Sequence, residues 1–174
     1  MSSPSSGGAL AHAKAIGHDV EELVVDAIDA FELAYETDAH HDAIVTEPVS
    51  CDLEASGGVP VVFVGLVALD VDQLVEVKAC VRSASNGDAT TPGRWLFKGP
   101  DDGQHGALVD EDAVYALAVY REDGASRELL AIAIIPADVV DELVADSWYG
   151  VDRRENWVAK LGWTHVLDEE VVRA

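Results

Sequence analysis

One short segment of the chain pairs a carboxylate with an amine in a way that can support chemistry. Within Leu74–Arg82, Glu76 and Lys78 stand two residues apart. Successive side chains of a β-strand point to opposite faces, so both would lie on the same face of such a strand. A carboxylate beside an ammonium group can act on a phosphate through a bound cation. The same two residues would also form a plain ion pair on a half-exposed strand.

The rest of this segment supports a strand. Val75, Val77, Ala79 and Val81 alternate with the polar residues and would face a core. The chain contains only four lysines, so a lysine in the middle of a sheet calls for a reason.

The flanking patterns predict the elements that would position this strand. A helix begins at Asp19, with Glu22 as its capping-box partner, and its apolar spacing continues to Tyr35, so we expect it to end between Thr37 and His41. Apolar runs predict strands at Ile44–Leu53, Val59–Leu69, Leu74–Arg82, Arg94–Phe97, Ala113–Tyr120 and Leu129–Ile135. Loops are predicted at Ser83–Gly93 and Lys98–Gly106, a helix capped by Asp138, and a short helix around Asn156–Leu161.

This order of elements predicts an α/β or α+β domain with a single mixed β-sheet flanked by helices. Residues 1–17 are expected to be a flexible N-terminal tail, and residues 18–174 a single domain.

An Asp followed by Glu-x-Lys on a neighbouring strand, after an initial helix, resembles the PD-(D/E)XK nuclease superfamily. The matching residues are Asp52, Glu76 and Lys78, and the resemblance spans roughly Asp19 to Leu143. It implies a restriction-endonuclease-like core, as in restriction enzymes and Holliday junction resolvases. The acidic partner of Glu76 could instead be Glu47, Asp70 or Asp72. Glu32 or Glu36 of the first helix could add a further carboxylate.

The resemblance also implies an activity, namely metal-dependent hydrolysis of phosphodiester bonds in DNA. The carboxylates of Asp52 and Glu76 and the backbone carbonyl of Val77 would hold Mg²⁺ or Mn²⁺, which prefer oxygen ligands. Lys78 would orient the attacking water or stabilise negative charge in the transition state. Members of the superfamily often act as dimers, so a homodimer is compatible with the resemblance.

Three further residues are candidates for contact with nucleic acid. Arg94 and Trp95 could contribute charge and stacking, and His105, in a glycine-rich segment, could touch a phosphate. Trp95 could instead cover an edge of the core. Two other functions stay open: an inactive domain of the same fold that binds nucleic acid or protein, and an acidic decoy for a DNA-binding partner.

The composition bears on the environment of the protein. The chain has 33 acidic and 11 basic residues, a formal net charge of -22. Such charge repels itself in dilute buffer, whereas at 1 M salt the Debye length falls to about 3 Å. We therefore expect a cytoplasmic protein of a halophilic archaeon or its virus. Ser2–Gly8 lacks the features of a signal peptide, and no apolar run is long enough to span a membrane.

Overall fold

The computed structural model describes residues 19–34, 41–151 and 157–172. The predicted N-terminal tail lies outside these residues. The described part contains three helices, which are α1 (19–27), α2 (Gln104–Asp110) and α3 (Ala137–Val144). Its strands are β1 (Phe31–Leu33), β2 (Ala43–Val45), β3 (Val49–Ser50), β4 (Val61–Phe63), β5 (Ala68–Leu69), β6 (Leu74–Val81), β7 (Ser83–Asn86), β8 (Ala89–Pro92), β9 (Arg94–Lys98), β10 (Val114–Asp123), β11 (Ser126–Pro136), β12 (Tyr149–Gly150) and β13 (Trp157–Gly162).

A mixed sheet of six strands forms the centre of the fold. Its order is β1-β2-β6-β10-β11-β4. Strands β1, β2 and β6 are successively antiparallel, β6 and β10 are parallel, and β10 and β11 form a long antiparallel hairpin. The three strands predicted at Leu74–Arg82, Ala113–Tyr120 and Leu129–Ile135 are thus neighbours in one sheet. The predicted mixed α+β fold is confirmed.

Both faces of the central sheet are buried because different layers cover them. Val20 and Val24 of α1, with Ile28 just after it, pack on one face, against residues that include Val75 and Val77 of β6. Helices α2 and α3 and the small sheet β12-β13-β9 cover the other face. Burial of apolar surface on both sides stabilises the sheet by about 25 cal/mol per Å² removed from water.

The predicted first helix is too long. Its helical residues end at 27, and Phe31–Leu33 forms an edge strand that pairs with β2. Phe31 and Ile28 keep helical spacing and are both buried, so periodicity alone did not reveal the break. Asp29 and Ala30 form the turn between helix and strand.

Three other segments also differ from expectation. The region predicted as a short helix around Asn156–Leu161 contains β13, which pairs antiparallel with β9. The predicted loop Ser83–Gly93 contains the β7–β8 hairpin, whose turn includes Gly87 at a φ of 67°. The predicted strand Val59–Leu69 is divided into β4 and β5.

The starts of α2 and α3 differ from the predicted ones. The predicted loop Lys98–Gly106 ends in the first residues of α2. Helix α3 is present, but Pro136 is its N-cap, and Asp138 lies in its first turn. In the described residues, no helix combines the length and apolar character that a membrane-spanning segment requires.

Candidate active site

Strand β6 places Glu76 and Lys78 together on one face of the central sheet. Lys78 Nζ lies 3.3 Å from Glu76 Oε1, and the two side chains are 17% and 6% exposed. This ion pair is largely removed from water, and the loss of hydration destabilises a charged carboxylate unless other groups compensate its charge. The arrangement therefore calls for further partners that hold the charges.

Asp42 brings a second carboxylate to this place. It lies immediately before β2, which pairs with the start of β6, and its amide donates to the carbonyl of Val75 over 2.9 Å. Its Oδ2 accepts a hydrogen bond of 2.9 Å from the amide of Val77. Its carboxyl also lies within hydrogen-bonding reach of Glu76. The backbone of β6 thus fixes Asp42 beside Glu76.

The edge of β6 beyond β2 exposes one more oxygen to these carboxylates. Pairing between β2 and β6 stops at Val75, so Val77 lies past the last paired residue. The N–H and C=O of a strand residue point to the same edge. Because the amide of Val77 donates to Asp42, its carbonyl faces that edge as well. Two carboxylates and a carbonyl consequently converge near the edge of β6 that, within the described residues, is unpaired beyond Val75.

Gln104, the first residue of α2, completes the polar cluster. Its Nε2 donates to Glu76 Oε1 over 2.9 Å, and its Oε1 accepts from Lys78 Nζ over 3.3 Å. The loop before it is tightly packed, since a Cβ on Gly99 would lie 2.5 Å from the Cα of Gly103. Gly99 also has a φ of 66°, which favours glycine. This loop holds the side chain of Gln104 over β6.

The electrostatics of the cluster favour proton retention. The pKa of Glu76 is raised to about 8, chiefly by burial; the charge of Lys78 lowers it, and the charge of Asp42 contributes to the rise. Burial also raises the pKa of Asp42, against the lowering effects of the Val77 amide and of Lys78. When both are ionised, the buried Glu76 and the half-buried Asp42 together carry more negative charge than the single ammonium of Lys78 neutralises. A bound cation would relieve this imbalance.

A carboxylate from α1 also acts on the cluster. The charge of Glu21 raises the pKa of Glu76. Of the two acids expected to contribute from the first helix, Glu32 is an exposed residue of β1, and Glu36 lies outside the described residues. Among the described residues, no three His, Cys, Asp or Glu side chains form a metal-binding group. Any metal here would therefore need the Val77 carbonyl and water as further ligands.

The acids proposed from the sequence as partners of Glu76 lie elsewhere on the surface. Asp52 is exposed in the turn after β3, and its side chain makes no hydrogen bond or ion pair within the described residues. Glu47, Asp70 and Asp72 are exposed too. The structure brings Asp42, and none of these four, into contact with the Glu76 cluster. A sequence signal existed, since Asp42 directly precedes the apolar run of β2.

The residues expected to contact nucleic acid divide into exposed and buried ones. Arg94 is exposed at the start of β9. Trp95 is fully buried, and its indole N–H donates to the carbonyl of Ala118 over 2.9 Å. The expectation that Trp95 stacks on bases is therefore wrong. Its ring belongs to the core between β9 and β10, in line with the alternative that it covers part of the core.

The expectation that His105 touches a phosphate is wrong for the same reason, because this second residue of α2 is fully buried. Its Nδ1 lies 2.7 Å from the Tyr115 hydroxyl, and its Nε2 lies 3.0 Å from Asp141 Oδ1. Burial lowers the pKa of His105, whereas the hydrogen bond with Asp141 raises it. The neutral ring can then donate from Nε2 to Asp141 and accept from Tyr115. His105 thereby anchors α2, and with it the adjacent Gln104.

Comparison with known families finds one match. A family model described as PD-(D/E)XK nuclease superfamily domain matches residues 9–168. The match includes α1, the whole central sheet and all four residues of the cluster. Comparison with curated proteins and with solved structures found no significant match.

Proposed function

Because the chain belongs to the PD-(D/E)XK nuclease superfamily, we propose that it is a metal-dependent endonuclease that hydrolyses phosphodiester bonds in DNA. The convergence of Asp42, Glu76 and Lys78 at the edge of β6 is the observation that carries this proposal. In this assignment, Asp42 takes the role that the sequence resemblance had suggested for Asp52.

The donor set fits a hard divalent cation such as Mg²⁺ or Mn²⁺. The carboxylates of Asp42 and Glu76 and the carbonyl of Val77 are all oxygen ligands, which these cations prefer, and water would fill the remaining positions. The excess negative charge that these two neighbouring carboxyls carry when ionised supports the same choice. When bound, the ion would polarise a phosphodiester oxygen and lower the pKa of a water molecule.

Lys78 and Gln104 supply the remaining polar groups. The ammonium of Lys78 is held on the same face as Glu76, where it would stabilise the negative charge that develops on the phosphate. Gln104 bonds to both side chains, so it fixes their separation before a substrate arrives. Such preorganisation lowers the cost of reorienting these groups in the transition state.

The first test is cleavage of DNA by the purified full-length protein. We expect duplex, branched or single-stranded DNA to be cut in the presence of Mg²⁺ or Mn²⁺, and none of them in EDTA. DNA or metal binding without cleavage in any of these conditions would favour the inactive binding domain. Absence of both metal binding by calorimetry and cleavage, across a range of KCl concentrations, would refute the nuclease proposal.

We further propose that the protein acts in a cytoplasm of high ionic strength. The support is the net charge of -22. Transfer from molar KCl to dilute buffer should lower the melting temperature by several °C, because screening of the acidic residues is lost. KCl is the suitable salt, since sulfate stabilises proteins in general through exclusion from their surface. An equal or higher melting temperature in dilute buffer would contradict adaptation to salt.

A further inference from the structure

The positive charges of this acidic protein are unevenly distributed. The described part of the chain contains three of its lysines. Lys78 lies in the candidate active site, whereas Lys98 and Lys160 lie on the ladder between β9 and β13. Arg94 begins the same ladder. Every described lysine therefore lies either in the site or on this small sheet.

These cations share the outer face of the ladder. Trp95 and Phe97 of β9 point into the core, so Arg94 and Lys98 project to the opposite face by alternation. Lys160 is paired with Leu96, which places it on the same face between the two. At about 3.4 Å per residue, Arg94 and Lys98 are separated by about 14 Å along the strand.

A cavity of about 690 Å³ opens beside this face. Arg94, Lys160 and His165 line it, together with the hydroxyl-bearing residues Thr91 and Thr164. None of its lining residues is acidic, although the chain contains 33 Asp and Glu residues. Arg, Lys and hydroxyl side chains are the groups through which proteins hold the phosphates of DNA. We refer to this cavity and the Arg94–Lys160 face as the basic groove.

Arg94 and Lys160, the two cations that line the basic groove, differ from two other arginines of the described residues in their partners. Arg121 and Arg127, on the β10–β11 hairpin, form ion pairs with Glu128 and Asp19. Arg94 and Lys160 form no ion pair in the described parts of the chain, and both are exposed. Unpaired cations in a strongly acidic protein indicate a surface that meets an anionic partner.

The basic groove is continuous with the candidate active site in two ways. Strand β9 ends at Lys98, and the tight loop after it leads to Gln104, which bonds to Glu76 and Lys78. Cys80, two residues beyond Lys78 on the same face of β6, lines a smaller cavity that also contacts Arg94 and Lys160. A DNA strand held in the basic groove would therefore lie close to the reacting groups.

We propose that the basic groove binds the phosphodiester backbone of the DNA substrate to one side of the bond that is cut. The proposal rests on the proposed DNA substrate, but it concerns binding and not the chemical step. The groove would position the DNA without reading its sequence, because contacts with phosphates carry no base information.

The test is DNA binding by the full-length protein in EDTA, where cleavage is not expected. Fluorescence anisotropy with a labelled duplex would be measured over a series of KCl concentrations. We expect Arg94→Gln and Lys160→Gln each to weaken binding about 3- to 10-fold and to reduce the slope of log K against log [KCl] by about 1. Arg121→Gln is the matched control, since it removes an exposed arginine outside the groove.

The outcomes separate this inference from the nuclease proposal. Unchanged affinity and salt slope in both groove variants, or no DNA binding by the wild type, would overturn the groove. If the wild type cuts DNA while the groove variants bind normally, the nuclease proposal survives alone. If the groove variants lose binding but the wild type never cuts, the groove is supported and the nuclease proposal fails. Equal melting temperatures would confirm that the variants are folded.

Discussion

Asp42→Ala, Glu76→Ala and Lys78→Ala should each lower the rate of metal-dependent DNA cleavage by about 10²-fold or more while the protein stays folded. Losses of this size are typical when a preorganised charged or polar group is removed from the place where charge develops. Calorimetry should distinguish the roles of the three residues. Asp42→Ala and Glu76→Ala should weaken the binding of Mn²⁺, whereas Lys78→Ala should leave it in place, because an ammonium group is not a metal ligand.

Asp52→Ala and Asp70→Ala are the matched controls for these variants. Each removes one carboxylate, and both residues are exposed and away from the Glu76 cluster. We expect cleavage rates within about twofold of the wild type, in line with the small effects of surface substitutions. Loss of activity in Asp52→Ala with full activity in Asp42→Ala would show that the second carboxylate has been assigned to the wrong residue.

The outcome for Asp42 illustrates which part of a site can be predicted from one sequence. Glu76 and Lys78 could be paired because the strict alternation of β6 places them on one face regardless of the rest of the fold. The second carboxylate depends on which strand pairs with β6, and that is a long-range contact. The predicted strand Ile44–Leu53 merges β2 and β3, begins two residues after Asp42 and contains Asp52. The sequence therefore suggested Asp52, and not Asp42, as the partner of Glu76.

Secondary-structure elements were likewise predicted correctly where the signal is local and incorrectly where they depend on long-range pairing. Long strands with continuous apolar runs, β10 and β11, were predicted from local pattern because their burial on both faces is visible in the sequence. The short strands β1 and β13 exist because β2 and β9 pair with them, which local periodicity does not reveal. The β7–β8 hairpin did have a local signal, since Asn86-Gly87 is a frequent pair in tight hairpin turns.

Buried Trp95 and His105 show a related limit for functional residues. His105 stands in a segment rich in polar residues and glycine, and Trp95 stands in a short predicted strand next to another such segment. Exposure of either side chain is therefore compatible with the sequence. Their burial follows from the second sheet and from α2, which cover the face of the central sheet that carries Tyr115. Arg94, by contrast, is exposed because it alternates with Trp95 on β9. A one-residue difference on a strand thus separates a core residue from a surface one.

Glu76→Gln should make the metal-free protein more stable at pH 8, by about 1 kcal/mol or more, and should change its stability little at pH 5. The pKa of Glu76 is raised from its ordinary value of 4.5 to about 8 in the folded protein. Between pH 4.5 and about pH 8, the Glu76 carboxyl loses its proton in the unfolded chain but keeps it in the folded protein. The free energy of unfolding contributed by Glu76 therefore falls as the pH rises through this window and levels off above about 8.

The glutamine variant removes this dependence while keeping an oxygen that can accept from Gln104. Asp42, Lys78 and Glu21 act on Glu76 in the wild type and remain in the variant, and His105 of α2 is buried in both proteins. The difference between the two stability curves therefore isolates Glu76 to a first approximation. Thermal unfolding in molar KCl with EDTA, at intervals from pH 5 to pH 8.5, would measure it. A variant that is less stable than the wild type at pH 8 would contradict the buried, proton-retaining carboxyl.

Addition of Mg²⁺ or Mn²⁺ to the same two proteins tests the link between this proton and the metal. A cation binds the ionised carboxylate, so its binding must displace the proton that Glu76 retains below about pH 8. The metal should therefore raise the melting temperature of the wild type more at pH 8 than at pH 6, because binding to the folded state stabilises it. In Glu76→Gln the increase should be small at both pH values. An equal rise in melting temperature in the wild type and the variant would show that the metal does not bind Glu76. The chemistry proposed for the edge of β6 would then be wrong.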